Sequence, residues 1–294
     1  MILLEENNRV ICETLKAKFA AAKPESVNIA AVDFDGVQYQ ISNPPNDKGI
    51  ILLSARMGMF EDLVAHGVQD LLQREYGDAL QATPEESYDV TLKFDLASLP
   101  ADREALALKA SLLKRNCFAS VFEKYFKMQE AETASDRTAV VHYHEEEAVY
   151  ISAHPDRVTV IFSTLFKDPD DVVIGKVFLQ EFKDARKAHQ QAPQVLFSYG
   201  EPPAELNGQP GLLRGDNIGY VTFVLFPRHT SPTNRDNTIN LIHQFRTYLH
   251  YHIKCSKAFL HSRMRSKTSE FLKVLNRAKP EAMTEKKFGV GKKF

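Results

Sequence analysis

Hydrophobic positions recur along this chain with two periods, and the order in which the periods alternate predicts its architecture. Val27–Val32, Val37–Ile41, Ile50–Ala55 and Asp89–Leu96 read as strands, and apolar and polar residues alternate over Val37–Ile41 and Asp89–Leu96, the period-two mark. Between the third and fourth, Phe60–Tyr76 places Leu63, Val64, Val68, Leu71 and Leu72 on one helical face. A short amphipathic helix over 2–22 precedes this set, and a long helix over Arg103–Met128 follows it. The order then returns. Ala139–Tyr143, Ala148–Ser152 and Arg157–Phe166 read as strands, and Asp170–Ala188 as a helix capped by Asp168, Asp170 or Asp171. Gln194–Tyr199 and Tyr220–Phe226 are strands on either side of the loop 200–215. The fold class is α+β: two similar domains, each an antiparallel or mixed sheet with helices on one face, ending in a very long C-terminal helix. Residues 1–128 form the first domain, 129–137 a small polar linker, 138–280 the second, and 281–294 a basic tail.

The long helix is predicted over 233–279, which contains no Gly or Pro and lies between Pro232 and Pro280. Asn234 or Asp236 can cap its start. As one helix it would run about 70 Å. Its apolar stripe repeats every 11 residues: Ile242, Ile253, Met264 and Leu275, interleaved with Leu249, Leu260 and Phe271. That period is close to the natural pitch of a straight helix, so the stripe barely drifts. Up to Phe259 a second stripe (Leu241, Tyr248, Cys255, Phe259) widens the surface, which suits cover by the chain's own sheet. Beyond it, Arg263, Arg265, Lys267, Lys273, Arg277 and Lys279 surround a narrow seam, which suits one facing helix from another polypeptide. A helix bent back over its own domain is the alternative.

Charge sharpens this picture. Residues 234–294 hold 14 Lys and Arg against 4 Asp and Glu, while 1–233 hold 23 against 34. A basic arm on an acidic body points to an acidic partner, either a protein surface or nucleic acid. Aromatic residues are not interleaved with the basic ones apart from Phe271, which weakens the nucleic-acid reading. The apolar runs are too short to span a membrane, and the start shows no secretion signal. Cys12, Cys117 and Cys255, scattered and odd in number, read as reduced residues of a cytosolic protein.

Two motifs carry candidate chemistry. Asp33-Phe-Asp35-Gly36 after an apolar strand resembles the nucleophile loop of haloacid-dehalogenase phosphatases, where paired carboxylates attack phosphorus and hold magnesium. Val37–Ile41 continues as a strand, however, so an Asp-Gly hairpin explains the same letters. His142 and His144 share a strand face at metal-ligand spacing, but no third ligand is identifiable, and Glu145–Glu147 reads as a solvated hairpin tip. His243, His250, His252 and His261 read as packing and surface residues. No phosphate loop, nucleophile elbow or Cys pair is present. The expectation is no catalytic residue, no cofactor and no metal. The two long helices also share an echo, Lys114…Cys117-Phe118-Ala119 and Lys254-Cys255…Ala258-Phe259.

Long blocks, Leu112–Phe126, Asp156–Phe182, Asp216–Thr230, Asp236–Arg265 and Thr268–Ala278, resemble the subunit 2 family of the actin-related protein 2/3 complex. The resemblance covers nearly the whole chain and lapses at 44–49, 129–137, 144–156, 199–215 and 281–294. It implies a non-enzymatic scaffold in a seven-subunit actin-nucleating machine of the cytoplasm, the actin cytoskeleton and cell projections. It also implies that the long helix pairs with that of subunit 4, for which the apolar stripe read from the period, Ile242, Leu249, Ile253, Leu260, Met264, Phe271 and Leu275, is the expected seam. The side of an existing filament would be a second partner, with Arg186, Lys187, Lys267, Lys273, Arg277 and Lys279 as the candidate contacts. Neither nucleic acid nor membrane is expected as a partner.

Overall fold

In the computed structural model, which describes residues 5–135, 137–185 and 191–278, the alternating stretches form two antiparallel sheets. The first has the order β1 (Asn28–Val32), β2 (Gln38–Ser42), β3 (Ile50–Arg56), β4 (Val90–Asp95). Its register lines up the buried faces. Tyr39 lies opposite Ala55, Ile41 and Leu92 opposite Leu53, and Phe94 opposite Ile51, all in the core. Over that face pack α1 (Arg9–Ala20), α2 (Phe60–Val64), α3 (Val68–Tyr76), α4 (Arg103–Ser111) and α5 (Leu113–Glu130). Asn8 caps α1 by accepting from the Ile11 N–H, and Asp102 caps α4 by accepting from that of Ala105. Three sequence expectations change here. The 2–22 helix is Arg9–Ala20, Phe60–Tyr76 breaks at 65–67, and Arg103–Met128 breaks at Leu112 and continues to Glu130. Gln129, expected in the linker, is buried on α5, where it accepts from the Thr230 hydroxyl at 2.6 Å.

The second sheet has the order β5 (Ala139–His144), β6 (Glu147–His154), β7 (Arg157–Leu165), β9 (Ile218–Leu225), β8 (Gln194–Tyr199). Its first four positions repeat the first sheet. The fifth strand, β8, also has a trace there: Leu80 bridges Leu92 and the Gln81 N–H donates to the Thr91 carbonyl, on the outer edge of β4. Strands β7 and β9 are buried on both faces. Helix α6 (Pro169–Ala185) and the later helices cover one side, while Leu206, Leu212 and Leu213 of the 200–215 loop cover the other. Double cover explains why Val221–Phe226 is apolar at every position but Thr222. One hydrophobic cluster runs unbroken through both sheets.

After α7 (Pro227–Thr230), the long C-terminal helix is two helices rather than one, α8 (Arg235–Ile242) and α9 (Phe245–Arg277). The chain turns at His243 and Gln244, where the buried His243 ring sets Nδ1 2.9 Å from the Ile239 carbonyl that its own N–H also reaches. Helix α9 first lies in the core. The Phe245 ring meets those of Phe162, Phe182 and Phe223 at centroid distances of 5.4, 6.2 and 4.7 Å, and Leu249 and Ile253 are fully buried. Gly175 permits the crossing with α6, since a Cβ there would lie 3.0 Å from the Phe166 ring and 3.3 Å from Ile253 Cδ1. Every residue from 258 to 278 is then exposed, so α9 leaves the body as an arm of about 30 Å rather than bending back.

Candidate interaction surface

The apolar stripe of α9 divides where the helix leaves the body. Ile242 on α8, with Leu249 and Ile253, is buried in the chain's own core, which removes these three from a surface open to another polypeptide. Leu260, Met264, Phe271 and Leu275 are 45%, 65%, 63% and 50% exposed. They continue the face that Ile253 presents inward, since steps of 7, 11, 18 and 22 residues return to within about 60° of one direction. Single exposed apolar side chains are ordinary on a protein surface, but a continuous row of four on an unsupported helix is not. Phe259, Leu272 and Val274 add exposed apolar area beside it.

A clamp fixes the point of departure. Asp168, Asp170 and Asp171 at the start of α6 face Lys254 and Lys257 of α9. Lys254 pairs with Asp171, and Lys257 with Asp168, with Asp171 Oδ1 a further 3.4 Å from the Lys257 ammonium. Asp168 is also the cap of α6, accepting from the Asp170 N–H at 2.9 Å. The hydrogen bond from Lys257 and that from the Asp170 N–H hold the Asp168 carboxyl below its ordinary range.

A second ionic cluster ties the two sheets together beneath the first turn of α9. Asp33 and Asp35 sit in the β1–β2 hairpin, where Gly36 takes φ +79° and Asp33 Oδ1 accepts from the Asp35 and Val37 N–H groups at 3.0 and 2.9 Å. The Asp-x-Asp-Gly motif is therefore a turn on an edge strand of an antiparallel sheet. Its carboxylates hold cations of the chain. Lys114 of α5 pairs with both, at 2.8 Å for Asp33, and Arg246 Nη1 of α9 lies 3.2 Å from Asp35. Arg246 Nε also donates to Glu147 at 2.5 Å, and Glu147 accepts from the Leu165 N–H at 2.9 Å. Burial alone would raise the Asp35 carboxyl, but Lys114, then Arg246 and Thr247, more than offset it and hold it low. Burial likewise opposes ionisation of Glu147, and His250 and Arg246 outweigh it. Glu147, expected at a solvated tip, is 2% exposed.

The histidines do not converge. A register shift lies between Val141 and His144, His142 meets Asp62 of α2 with Nδ1 at 2.9 Å, and His144 Nδ1 lies 3.8 Å from Glu147. His243 is buried beside Phe118, and burial pushes its imidazole down to about 4. His252 stacks on Phe178, and His261 is exposed. The Lys114 and Lys254 echo does not mark equivalent places, since Cys117 is buried and Cys255 exposed. Lys267 is exposed beside Glu270 at 2.9 Å, and Lys273 and Arg277 are exposed, turned more than about 120° from the seam. Arg186, Lys187 and Lys279 lie outside the described residues. Among the described residues, no helix is long and apolar enough to cross a membrane.

Comparison with known proteins places these features in a family. Residues 53–282 match the family described as Arp2/3 complex, 34 kD subunit p34-Arc. Over an alignment of 316 residues the chain is 43% identical to the actin-related protein 2/3 complex subunit 2 of Schizosaccharomyces pombe, covering 100% of this chain and 99% of that one. It is 40% identical over 295 residues to the subunit of the same name from Dictyostelium discoideum, with the same coverage. Neither the match nor the hairpin geometry at Asp33 and Asp35 supports a phosphatase, and the match gives no support to a nucleic-acid-binding module.

Proposed function

We propose, for a chain that belongs to the family of the 34 kDa subunit of the Arp2/3 complex, that it is a scaffold subunit of that complex and performs no catalysis. It works in the cytoplasmic actin cytoskeleton, including cell projections. The observation that carries this reading is the apolar row Leu260, Met264, Phe271, Leu275 on a length of α9 that none of the described residues covers. Such a row fits the seam of one facing helix, assigned to the long helix of subunit 4. The body holds the arm by the α6 clamp and by the Phe245 cluster, so the direction of the arm is set before a partner arrives. Basic side chains off the seam, Lys273 and Arg277, then remain for the acidic side of an actin filament, joined by Lys267, which lies at the seam's edge and reaches past it by its long stem, and by Arg186, Lys187 and Lys279.

Co-expression with subunit 4 tests the reading. The wild-type chain is expected to be recovered as a stable pair and to be poorly soluble alone. Met264→Asp with Phe271→Asp buries two charges without counter-ions, and the pair should be lost. Full recovery of the doubly substituted pair would refute the assignment.

A further inference from the structure

Arg263 to Thr268 read Arg-Met-Arg-Ser-Lys-Thr, which places arginines five and three residues before Thr268. Arginine-directed protein kinases select that spacing, because acidic pockets along their substrate groove each take a guanidinium group. We propose that Thr268 is a phosphorylation site for a kinase of this class, modified on the unpaired chain, and that its phosphate opposes the helix pairing proposed above, on which this inference rests.

Three features of the arm carry it. Arg263, Arg265 and Thr268 are all exposed, with Arg263 lying over the Phe259 ring at 5.6 Å. None of the described residues packs on the arm, and in proteins most helical stability comes from tertiary packing rather than from propensity. The segment therefore opens at low cost into the extended form that a kinase groove accepts. Within the helix the Thr268 hydroxyl donates to the Met264 carbonyl at 2.9 Å, a back-bond that weakens the turn slightly. Thr268 also borders the seam. Met264, Phe271 and Leu272 lie one turn away, and Met264, Thr268 and Leu272 line one shallow groove.

In the transfer, Thr268 Oγ1 bonds to the γ-phosphorus of a nucleoside triphosphate. The bond from that phosphorus to the bridging oxygen breaks, the nucleoside diphosphate leaves, and the hydroxyl proton passes to a carboxylate of the kinase. The product carries a charge of about −1.5 to −2 at pH 7. Arg265, three residues before it, holds that charge on the helix surface beside Met264 and Phe271, where a packing helix would have to desolvate it. Pairing in turn covers the edge and stops the helix opening, so modification and pairing exclude each other.

The test treats the full-length chain with an arginine-directed kinase and magnesium ATP, and maps phosphate by mass spectrometry. Phosphate is expected on Thr268, lost in Arg263→Ala with Arg265→Ala, and about tenfold lower on chain already paired with subunit 4. Thr268→Asp should lower recovery of the pair about tenfold, whereas Ser266→Asp, on the far side of the helix, should not. Phosphate confined to Ser266 or Ser269, equal labelling of the paired chain, or full pairing by Thr268→Asp overturns the proposal. Met264→Asp separates the two readings. If it blocks pairing while Thr268 stays unlabelled, the pairing stands and this inference falls. If it pairs like wild type, both fall.

Discussion

Lys114 and Arg246 occupy the same place in the two halves of the molecule. Each is the second residue of its long helix, following a buried Leu113 or Phe245, and each closes on an acid at the first hairpin of its own sheet. Arg246 goes further and reaches Asp35 in the other half, so one guanidinium joins both hairpins. Replacing either cation leaves buried carboxylates uncompensated, a loss of about 3–5 kcal/mol when a buried pair is broken. Arg246→Met should cost more than Lys114→Met, because it leaves the deeply buried Glu147 with only His144 and His250 as basic neighbours among the described residues, whereas the Asp33 that Lys114→Met leaves is partly in water. Thermal unfolding of the chain paired with subunit 4 measures both, and Glu147→Gln should recover part of the Arg246→Met loss. Equal melting of Arg246→Met and wild type would show that the guanidinium contributes nothing.

Acid should loosen the fold before the carboxylates titrate. The His243 imidazole is held down at about 4 in the folded chain, against about 6.5 unfolded. The unfolded chain therefore takes up the proton first. Stability is full above about pH 6.5 and falls until about pH 4, by roughly 3 kcal/mol in all. Asp35 and Glu147 are also held low, and their contribution is lost in the same direction but further into acid, below the unfolded carboxylate range. Urea midpoints at pH 7.5 and pH 5 for wild type and His243→Phe decide this. The variant should lose less on acidification, and parallel losses would exclude His243 as the cause.

The crossing of α6 and α9 leaves no room at Gly175 for a branched side chain. Gly175→Val gains less than about 1 kcal/mol in helix propensity, while overpacking against Phe166 and Ile253 costs about 1–3 kcal/mol. A net loss of stability is expected, together with an arm leaving the body in a changed direction. Inter-residue distances measured by spin labels on the body and near Arg277 would show the change, and unaltered distances would argue that Phe166 turns aside freely.

Charge reversal separates the proposed filament contact from assembly. Lys273→Glu with Arg277→Glu leaves the seam untouched, so the pair with subunit 4 should form normally. Exposed ion pairs are worth less than about 1 kcal/mol each, so two reversals should weaken filament co-sedimentation by up to about tenfold at low salt. The difference should shrink as salt screens the charges. Equal, salt-insensitive sedimentation would move the contact elsewhere on the chain.

The strands along the chain and the hairpin at Asp33–Val37 were readable because a short apolar or alternating stretch and an Asp-Gly turn are local signals. The projecting arm was readable too, from the narrowing of its stripe beyond Phe259. The helix breaks were only partly so. Gly67 announces one, but Leu112 and His243–Gln244 contain no breaker, and the period runs across them without a gap. The ionic cluster was hidden because its members lie far apart in the chain. Glu147 looks like a tip residue beside Glu145 and Glu146, and its burial is decided by Arg246, 99 residues later. The trace of a fifth strand at Leu80–Gln81 is one bridge long, too short for any period to register.

Under the proposed pairing, the bare length of α9 would also act as a measure of quantity. In a chain made in excess, no described residue lies over Met264 and Phe271, so its apolar row would stay in water, the form of surface that chaperones hold and proteases clear. A chain that finds its cover loses that mark at once. If the pairing proposed above holds, the surface that assembles would also be the surface that condemns the surplus, and abundance would follow the scarcer member of the pair.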